Sequence, residues 1–248
     1  MLKKALWTLI VLLAVTGMVF AQGAKGLHIV IATDATWPPM EMVDESKQIV
    51  GFDIDLMKEI ARAGGFTMEF KNTAWDGIFA GLATGEYNAV MSSVTITDER
   101  KQTMDFSLPY INAGQILAVR TETRGVTKLE DLKGKQVGAQ IGTTGAFAIE
   151  KVKGVVLKTY DEIGLAFEDL VNKRIDGVVA DNPTAAQFAL QNPSYKGKLM
   201  IVGKPFTEEF YGVAVKKGNT KVLEAINAGL KKVLNTETYK KIEAKWLR

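Results

Sequence analysis

The sequence predicts an α/β protein of two lobes, each a mainly parallel sheet flanked by helices. Three observations carry that prediction. Short apolar strands alternate with amphipathic helices as far as Met91, the same alternation restarts after Tyr110, and in both runs an apolar strand ends abruptly in polar side chains, at Ser92 and Ser93 and again at Asp181. Strand-helix alternation is the pattern of a parallel sheet, because parallel neighbours need a crossover long enough to be a helix.

In the first run, residues 27–33 form an apolar strand, and residues 53–63 carry apolar groups at helical spacing until Gly64-Gly65 stops them. Residues 66–70 alternate as a strand, 75–84 form a helix and 88–91 a buried strand. The second run comprises strand 115–120, short helix 128–132, strand 136–141, helix 146–152, strand 155–160, helix 161–172 and strand 174–180. A final strand at 210–216 and helices at 221–234 and 238–247 complete the chain. The segments GLATGEYNAVMSSV and DLVNKRIDGVVADNP echo each other as helix end, tight turn and apolar strand ending in polar groups. Open α/β sheets bind ligands beyond the carboxyl ends of their strands, so both lobes aim polar groups at a shared cleft.

Lys3 and Lys4 precede an apolar run from Ala5 to Ala21, with Val19 and Ala21 small enough for signal peptidase, so residues 1–21 are expected to be a signal peptide cleaved before Gln22. An uncleaved membrane anchor is the alternative. Loss of the two lysines lowers the formal charge from +3 to +1, which implies no nucleic-acid partner. The absence of cysteine excludes disulfides, a thiolate nucleophile, thiolate-bound metal and a lipid on an N-terminal Cys.

The chemistry concentrates in MSSVTITDER, Met91 to Arg100. Thr97 suits a helix N-cap, which puts Arg100 in a first turn where a cation is unfavourable unless it faces an anion. A guanidinium binds carboxylate through two parallel hydrogen bonds, and free helix NH groups favour the same ligand. A surface ion pair is the other reading. Gly142-Thr143-Thr144-Gly145 opens a second helix and is either a plain turn or an anion-binding one; it lacks the lysine of a phosphate loop. Asp181, at a strand end before Asn182-Pro183, is either a helix cap or an acceptor for an ammonium. Trp75 with Ile78, Phe79 and Leu82 has the spacing of core packing.

MSSVTITDERKQTMDFSLPY resembles the signature segment of the polar amino-acid-binding proteins of bacterial ABC importers. WPPME at Trp37 to Glu41, GFDIDL at Gly51 to Leu56, and Gly142-Thr143-Thr144 match in order and spacing across nearly the whole mature chain. The resemblance implies a type II periplasmic binding protein fold. One lobe would comprise residues 22–110 plus 211–248 and the other 114–207, joined by a hinge of two crossings at 111–113 and 208–210. Without a lipid anchor, the expected compartment is a periplasm.

A free amino acid needs a partner for each of its charges when buried. Arg100, Thr95 and the NH groups of Thr143 and Thr144 would take its carboxylate; Asp181 and the Ser93 carbonyl would take its ammonium. By resemblance Trp37 and Trp75 flank the ligand side chain and Asp34 meets a cationic head, with Glu41 and Asp53 adding negative charge. Glu41 is otherwise a solvated acid and Asp53 a helix N-cap. Ser92, Val94 and Ile141 complete the expected ligand-binding set. Two tryptophans suit a delocalised guanidinium better than a hydrated ammonium, so L-arginine is expected first, then lysine, ornithine or histidine. The expected partner is an inner-membrane ABC permease, with no cofactor, no metal and no catalysis. Met40 replaces the family's usual phenylalanine and Gly145 a larger polar residue, which leaves the pocket more adaptable and roomier.

Two other classes fit less well. Some proteins of this fold are dehydratases of small carboxylates, for which Glu41 is a candidate acid; the single histidine, His28, lies early in the first strand and is expected to be structural. A sensory domain would need a second membrane segment or a signalling module, and neither follows before Arg248.

Overall fold

The computed structural model describes residues 26–247. The expected signal peptide lies outside the described residues.

In chain order the first part contains β1 (His28–Thr33), β2 (Thr36–Trp37), β3 (Glu41–Val43), β4 (Ile49–Val50), α1 (Phe52–Gly64), β5 (Thr67–Asn72), α2 (Ile78–Thr84), β6 (Ala89–Val90), α3 (Asp98–Thr103) and β7 (Met104–Phe106). Next come β8 (Ile111–Asn112), β9 (Gln115–Arg120), β10 (Gln136–Gln140), α4 (Thr144–Glu150), β11 (Val156–Tyr160), α5 (Ile163–Val171), β12 (Gly177–Asp181), α6 (Asn182–Ala186) and β13 (Leu199–Val202). The chain closes with β14 (Phe210–Tyr211), β15 (Ala214–Lys216), α7 (Thr220–Val233) and α8 (Glu237–Trp246).

Two five-stranded sheets result, ordered β5-β1-β6-β15-β7 and β11-β10-β12-β9-β13. In each, three neighbouring strands run parallel, and the fourth, β15 or β9, runs antiparallel to both its neighbours. The strand 115–120, expected within a parallel unit, is therefore the antiparallel member, and there is a topological reason. It enters the second sheet directly from β8 with no helix between. Its first residue, Gln115, pairs with Asp181, the last residue of β12. A strand that begins at the cleft must run against strands that end there. The paired β8 and β14 carry the two chain crossings between the sheets.

Local chemistry fixes the element boundaries. Helix α1 stops where Gly65 adopts φ 76° and donates its NH to Ala61. Its N-cap is Gly51, where a Cβ would stand 2.2 Å from the Met40 carbonyl oxygen, and not Asp53. Helix α2 starts three residues later than expected, because Gly77 at φ 86° leaves Trp75 in the preceding turn. The strand expected over 210–216 breaks between β14 and β15, since its first part pairs with β8 and its second with β6 and β7. Turns in the left-handed region at Gly85 and Lys173 precede β6 and β12, as the repeated sequence pattern implies.

The first core gathers Ile29, Ile31, Phe52, Leu56, Ile60, Ile226 and Leu230, where α1 packs on α7. Gly229 permits that approach, as a Cβ there would lie 2.2 Å from the Ile60 carbonyl oxygen. The C-terminal helices thus join the first sheet. A separate cluster around Val137, Ala139, Ile149 and Val179 backs the second sheet. Among the described residues, no helix is long and apolar enough to cross a membrane.

Candidate functional site

A cavity lies between the carboxyl ends of the two sheets. Its wall consists of Asp34, Trp37, Glu41, Trp75, Ser92, Ser93, Thr95, Arg100, Gln140, Thr143, Thr144 and Asp181. Two residues of the expected set lie elsewhere. Val94 is fully buried beside Trp75 and Ile78, and its carbonyl accepts the Gly212 NH. Ile141 is 38% exposed and absent from the wall. Both adjoin wall residues in sequence.

One end of the cavity is acidic. Asp34, just beyond β1, accepts the Thr36 hydroxyl at 2.8 Å and the Gln140 amide at 2.9 Å. Ser92 accepts the Asp34 NH at 2.9 Å and donates to Glu41 at 3.2 Å, and the Ser93 hydroxyl donates to the other Glu41 oxygen at 3.2 Å. Ser93 sits at φ 51°, which turns its NH onto Asp53 at 2.9 Å, where the Tyr110 hydroxyl also donates at 2.7 Å. Burial pushes all three carboxyls up, Asp53 to about 6. Glu41 lies furthest above its ordinary range, because the charges of Asp53 and Asp34 add to burial. Glu41 and Asp53 are thus close neighbours in one buried acidic cluster. Neither acid is solvated, and neither caps a helix.

Two tryptophans flank this end. Trp75 meets Phe79 edge-on at 5.0 Å and also packs into the cluster with Ile78 and Leu82, so it belongs to the core and to the cavity wall at once. The Trp37 Nε1 is buried with no hydrogen-bond partner among the described residues. Such an orphan donor suits a ligand acceptor.

The other end is cationic. Thr97 caps α3 by accepting the Arg100 NH at 3.1 Å, as expected. The Arg100 guanidinium donates to the carbonyls of Thr95 at 2.9 Å and Gly142 at 3.3 Å. It also lies 5.4 Å from the Trp75 ring and 5.1 Å from the Phe79 ring. Burial lowers its pKa to about 10, against the opposing charges of Asp181 and Glu209. It is no surface ion pair. Thr143 caps α4 by accepting the Ala146 NH at 3.2 Å, leaving the first NH groups of that helix free of intrahelical partners.

Asp181, 4% exposed, takes the N-cap position of α6 but makes no capping bond. Its carboxylate accepts the Gln115 amide at 3.0 Å instead. Burial, reinforced by the charge of Glu209, pushes it up to about 8. A buried acid with so raised a pKa in a cleft marks a candidate functional group. His28 stands at the far end of β1 with Thr67 at 3.0 Å, away from the cavity.

Three residues escaped the sequence reading. Gln140 and Gln115 are neutral, and only their places at the cleft ends of β10 and β9 could have singled them out. Glu209 lies on a chain crossing, within the stretch 208–210 expected to act as a hinge. Its carboxylate accepts the Thr144 hydroxyl at 2.7 Å, the Thr95 hydroxyl at 3.0 Å and the Thr207 hydroxyl at 2.7 Å.

The family model of the bacterial extracellular solute-binding proteins, family 3, matches residues 29–248. The chain belongs to this family. It is similar to a probable histidine-binding protein of Neisseria gonorrhoeae, with 38% identity over 220 residues that cover 87% of this chain and 81% of the relative. A putative ABC transporter arginine-binding protein 2 of Escherichia coli is 35% identical, covering 88% of this chain and 89% of its own. An ancestral arginine-binding protein, solved with arginine bound, superposes with a TM-score of 0.84 at 42% identity, over 92% of this chain and 99% of that one. The fold of the family is the type II periplasmic binding protein fold, with two α/β lobes.

Proposed function

We propose that the protein is the extracytoplasmic binding component of an amino-acid ABC importer and that its cleft takes a free L-amino acid with a cationic side chain, arginine ahead of lysine, ornithine and histidine. The observation that carries this reading is the polarity of the cavity. Arg100 stands at one end, Asp34, Glu41 and Asp53 cluster at the other, and Trp37 and Trp75 line the way between. The ligand carboxylate meets Arg100, Thr95 and the first NH groups of α4; its ammonium meets Asp181; its guanidinium stacks on tryptophan and faces Asp34. Relatives named for binding arginine and histidine support the same ligand class.

The lobes are residues 22–110 with 211–248, and 114–207, hinged at 111–113 and 208–210. That division agrees with the two sheets and with the β8–β14 ladder. The partner is a permease of the inner membrane, and the compartment is the periplasm, reached through the signal peptide of residues 1–21. The chain carries cargo and performs no chemistry: the candidate acid Glu41 is fully buried and spends its oxygens on Ser92 and Ser93.

Titration calorimetry against arginine, lysine, ornithine, histidine and glutamine tests the proposal. One saturable site with arginine tightest is the expected result. No saturable binding of any of the five overturns it.

A further inference from the structure

Glu209 holds the hydroxyl of Thr95, assigned above to a ligand carboxylate, together with the hydroxyl of Thr144, whose NH was assigned there too. One oxygen accepts from both Thr144, at 2.7 Å, and Thr95, at 3.0 Å, and lies 3.3 Å from the Gln115 amide nitrogen; the other accepts from Thr207 at 2.7 Å. Thr95, Thr144 and Arg100 line both the inner cavity and the wider outer cleft, and Glu209 lines the outer cleft alone. The carboxylate therefore reaches the boundary between the two from outside. A hydroxyl has one proton to donate, so Thr95 and Thr144 serve either Glu209 or a ligand carboxylate, never both.

We propose that Glu209 is an internal stand-in for the ligand carboxylate, and that the cleft consequently also binds decarboxylated ligands: dicationic amines with a guanidinium or ammonium at each end. The inference rests on the cationic-ligand reading above and extends its substrate class. An amino acid brings its own anion to Arg100, Thr95 and Thr144 and displaces Glu209. A dicationic amine brings none and leaves Glu209 in place, so the number of anions around the two cationic ends is the same in both cases. The Gln115 amide, within 3.0 Å of Asp181 and 3.3 Å of Glu209, ties this carboxylate to the acid that accepts the ligand ammonium.

Calorimetry with agmatine, which is arginine without its carboxylate, tests the proposal on the wild-type protein and on the variants Glu209→Gln and Glu209→Ala. Agmatine should bind the wild type at one site and compete with arginine. Its affinity should fall by about tenfold or more in both variants, the scale of a lost hydrogen bond to a charged group. Arginine should bind the same variants a few-fold more tightly, since no carboxylate has to be displaced. Wild-type protein that binds arginine but not agmatine overturns the inference while leaving the amino-acid reading intact. Equal agmatine affinity in all three proteins, or parallel loss of both ligands in the variants, also overturns it. Glu209-dependent agmatine binding without arginine binding would uphold it and sink the amino-acid reading. The competition arm uses only wild-type protein, so it decides even if a variant fails to fold.

Discussion

Arg100→Ala should abolish binding of every amino acid while leaving the fold nearly as stable as before. The half-buried guanidinium lies over the Trp75 and Phe79 rings at 5.4 and 5.1 Å, so its attraction for a ligand carboxylate is only partly screened. Removing one partner of a buried, hydrogen-bonded charge pair costs about 2–5 kcal/mol, which corresponds to roughly 30- to 4000-fold in affinity. The middle of that range predicts that arginine and glutamine both weaken by about a hundredfold or more. Stability runs differently. Among the described residues, the side chain's two hydrogen bonds go to backbone carbonyls of Thr95 and Gly142, and burial lowers its pKa to about 10. The folded protein holds this cation at a cost, which alanine removes along with the two bonds. The net change should stay within about 1 kcal/mol, or some 2–4 °C in melting temperature for a chain of this size. Calorimetric titration and differential scanning calorimetry on the same preparation check both halves. Binding retained within tenfold of wild type, or a melting point lowered by much more than that window, would refute the assignment. Arg100→Lys keeps the charge without the planar fork and should recover little.

Three further outcomes follow from the same geometry. Asp181 has its folded pKa raised from 3.8 to about 8, so the folded protein binds more protons than the unfolded chain between those values and loses stability as pH climbs through them. A ligand ammonium pulls that proton off: arginine binding near pH 7 should release protons, seen as a dependence of binding enthalpy on buffer ionisation, and Asp181→Asn should remove it; zero release from wild type sinks the assignment. Asp34→Ala should weaken arginine about tenfold or more, since it removes a charged hydrogen-bond acceptor, and should barely change glutamine, whereas equal loss for both ligands undoes its role in selectivity. Gly229→Ala places a methyl 2.2 Å from the Ile60 carbonyl oxygen and should cost about 1–3 kcal/mol through overpacking, lowering the melting temperature without weakening arginine; an unchanged melt would show that α1 and α7 have room to part.

The architecture was legible because its signals are periodic and local. The glycine stop of α1, the Thr97 cap and the strands ending at Ser92 and Asp181 each depend on a few neighbouring residues. What escaped depends on distant parts of the chain. The direction of β9 follows from where it enters its sheet, and the break between β14 and β15 from which strands flank each half. At the site, Arg100 and Asp181 stood out as charges next to element boundaries. Gln115 and Gln140 did not, since an amide carries no charge pattern; they matter because folding sets them 3.0 Å from Asp181 and 2.9 Å from Asp34. Glu41 was visible as an acid, but its clustering with Asp53 arises from burial and proximity that no spacing in the sequence encodes.

The two sheets contribute unequally to the cavity, and that asymmetry bears on how binding couples to closure. Asp34, Trp37, Glu41, Trp75, Thr95 and Arg100 all belong to the segment that builds the first sheet, while Gln140, Thr143, Thr144 and Asp181 belong to the second. Across the cleft the hydrogen-bond partners offered to these charges are neutral: the Gln140 amide for Asp34 at 2.9 Å, and the Gly142 carbonyl for Arg100 at 3.3 Å. Bringing the lobes together thus desolvates Asp34 and Arg100 and pushes the Asp181 carboxyl up to about 8, and poorly compensated buried charge is expensive. A ligand with a cationic head, a carboxylate and an ammonium supplies the opposite charge to each in turn. It binds the apposed arrangement far better than the separated one, and a ligand shifts a two-state equilibrium only by that difference in affinity. A ligand without a cationic head leaves Asp34 uncompensated, so the selectivity of the cleft and the drive to close it share that residue, whereas a missing carboxylate is covered by Glu209 under the inference above.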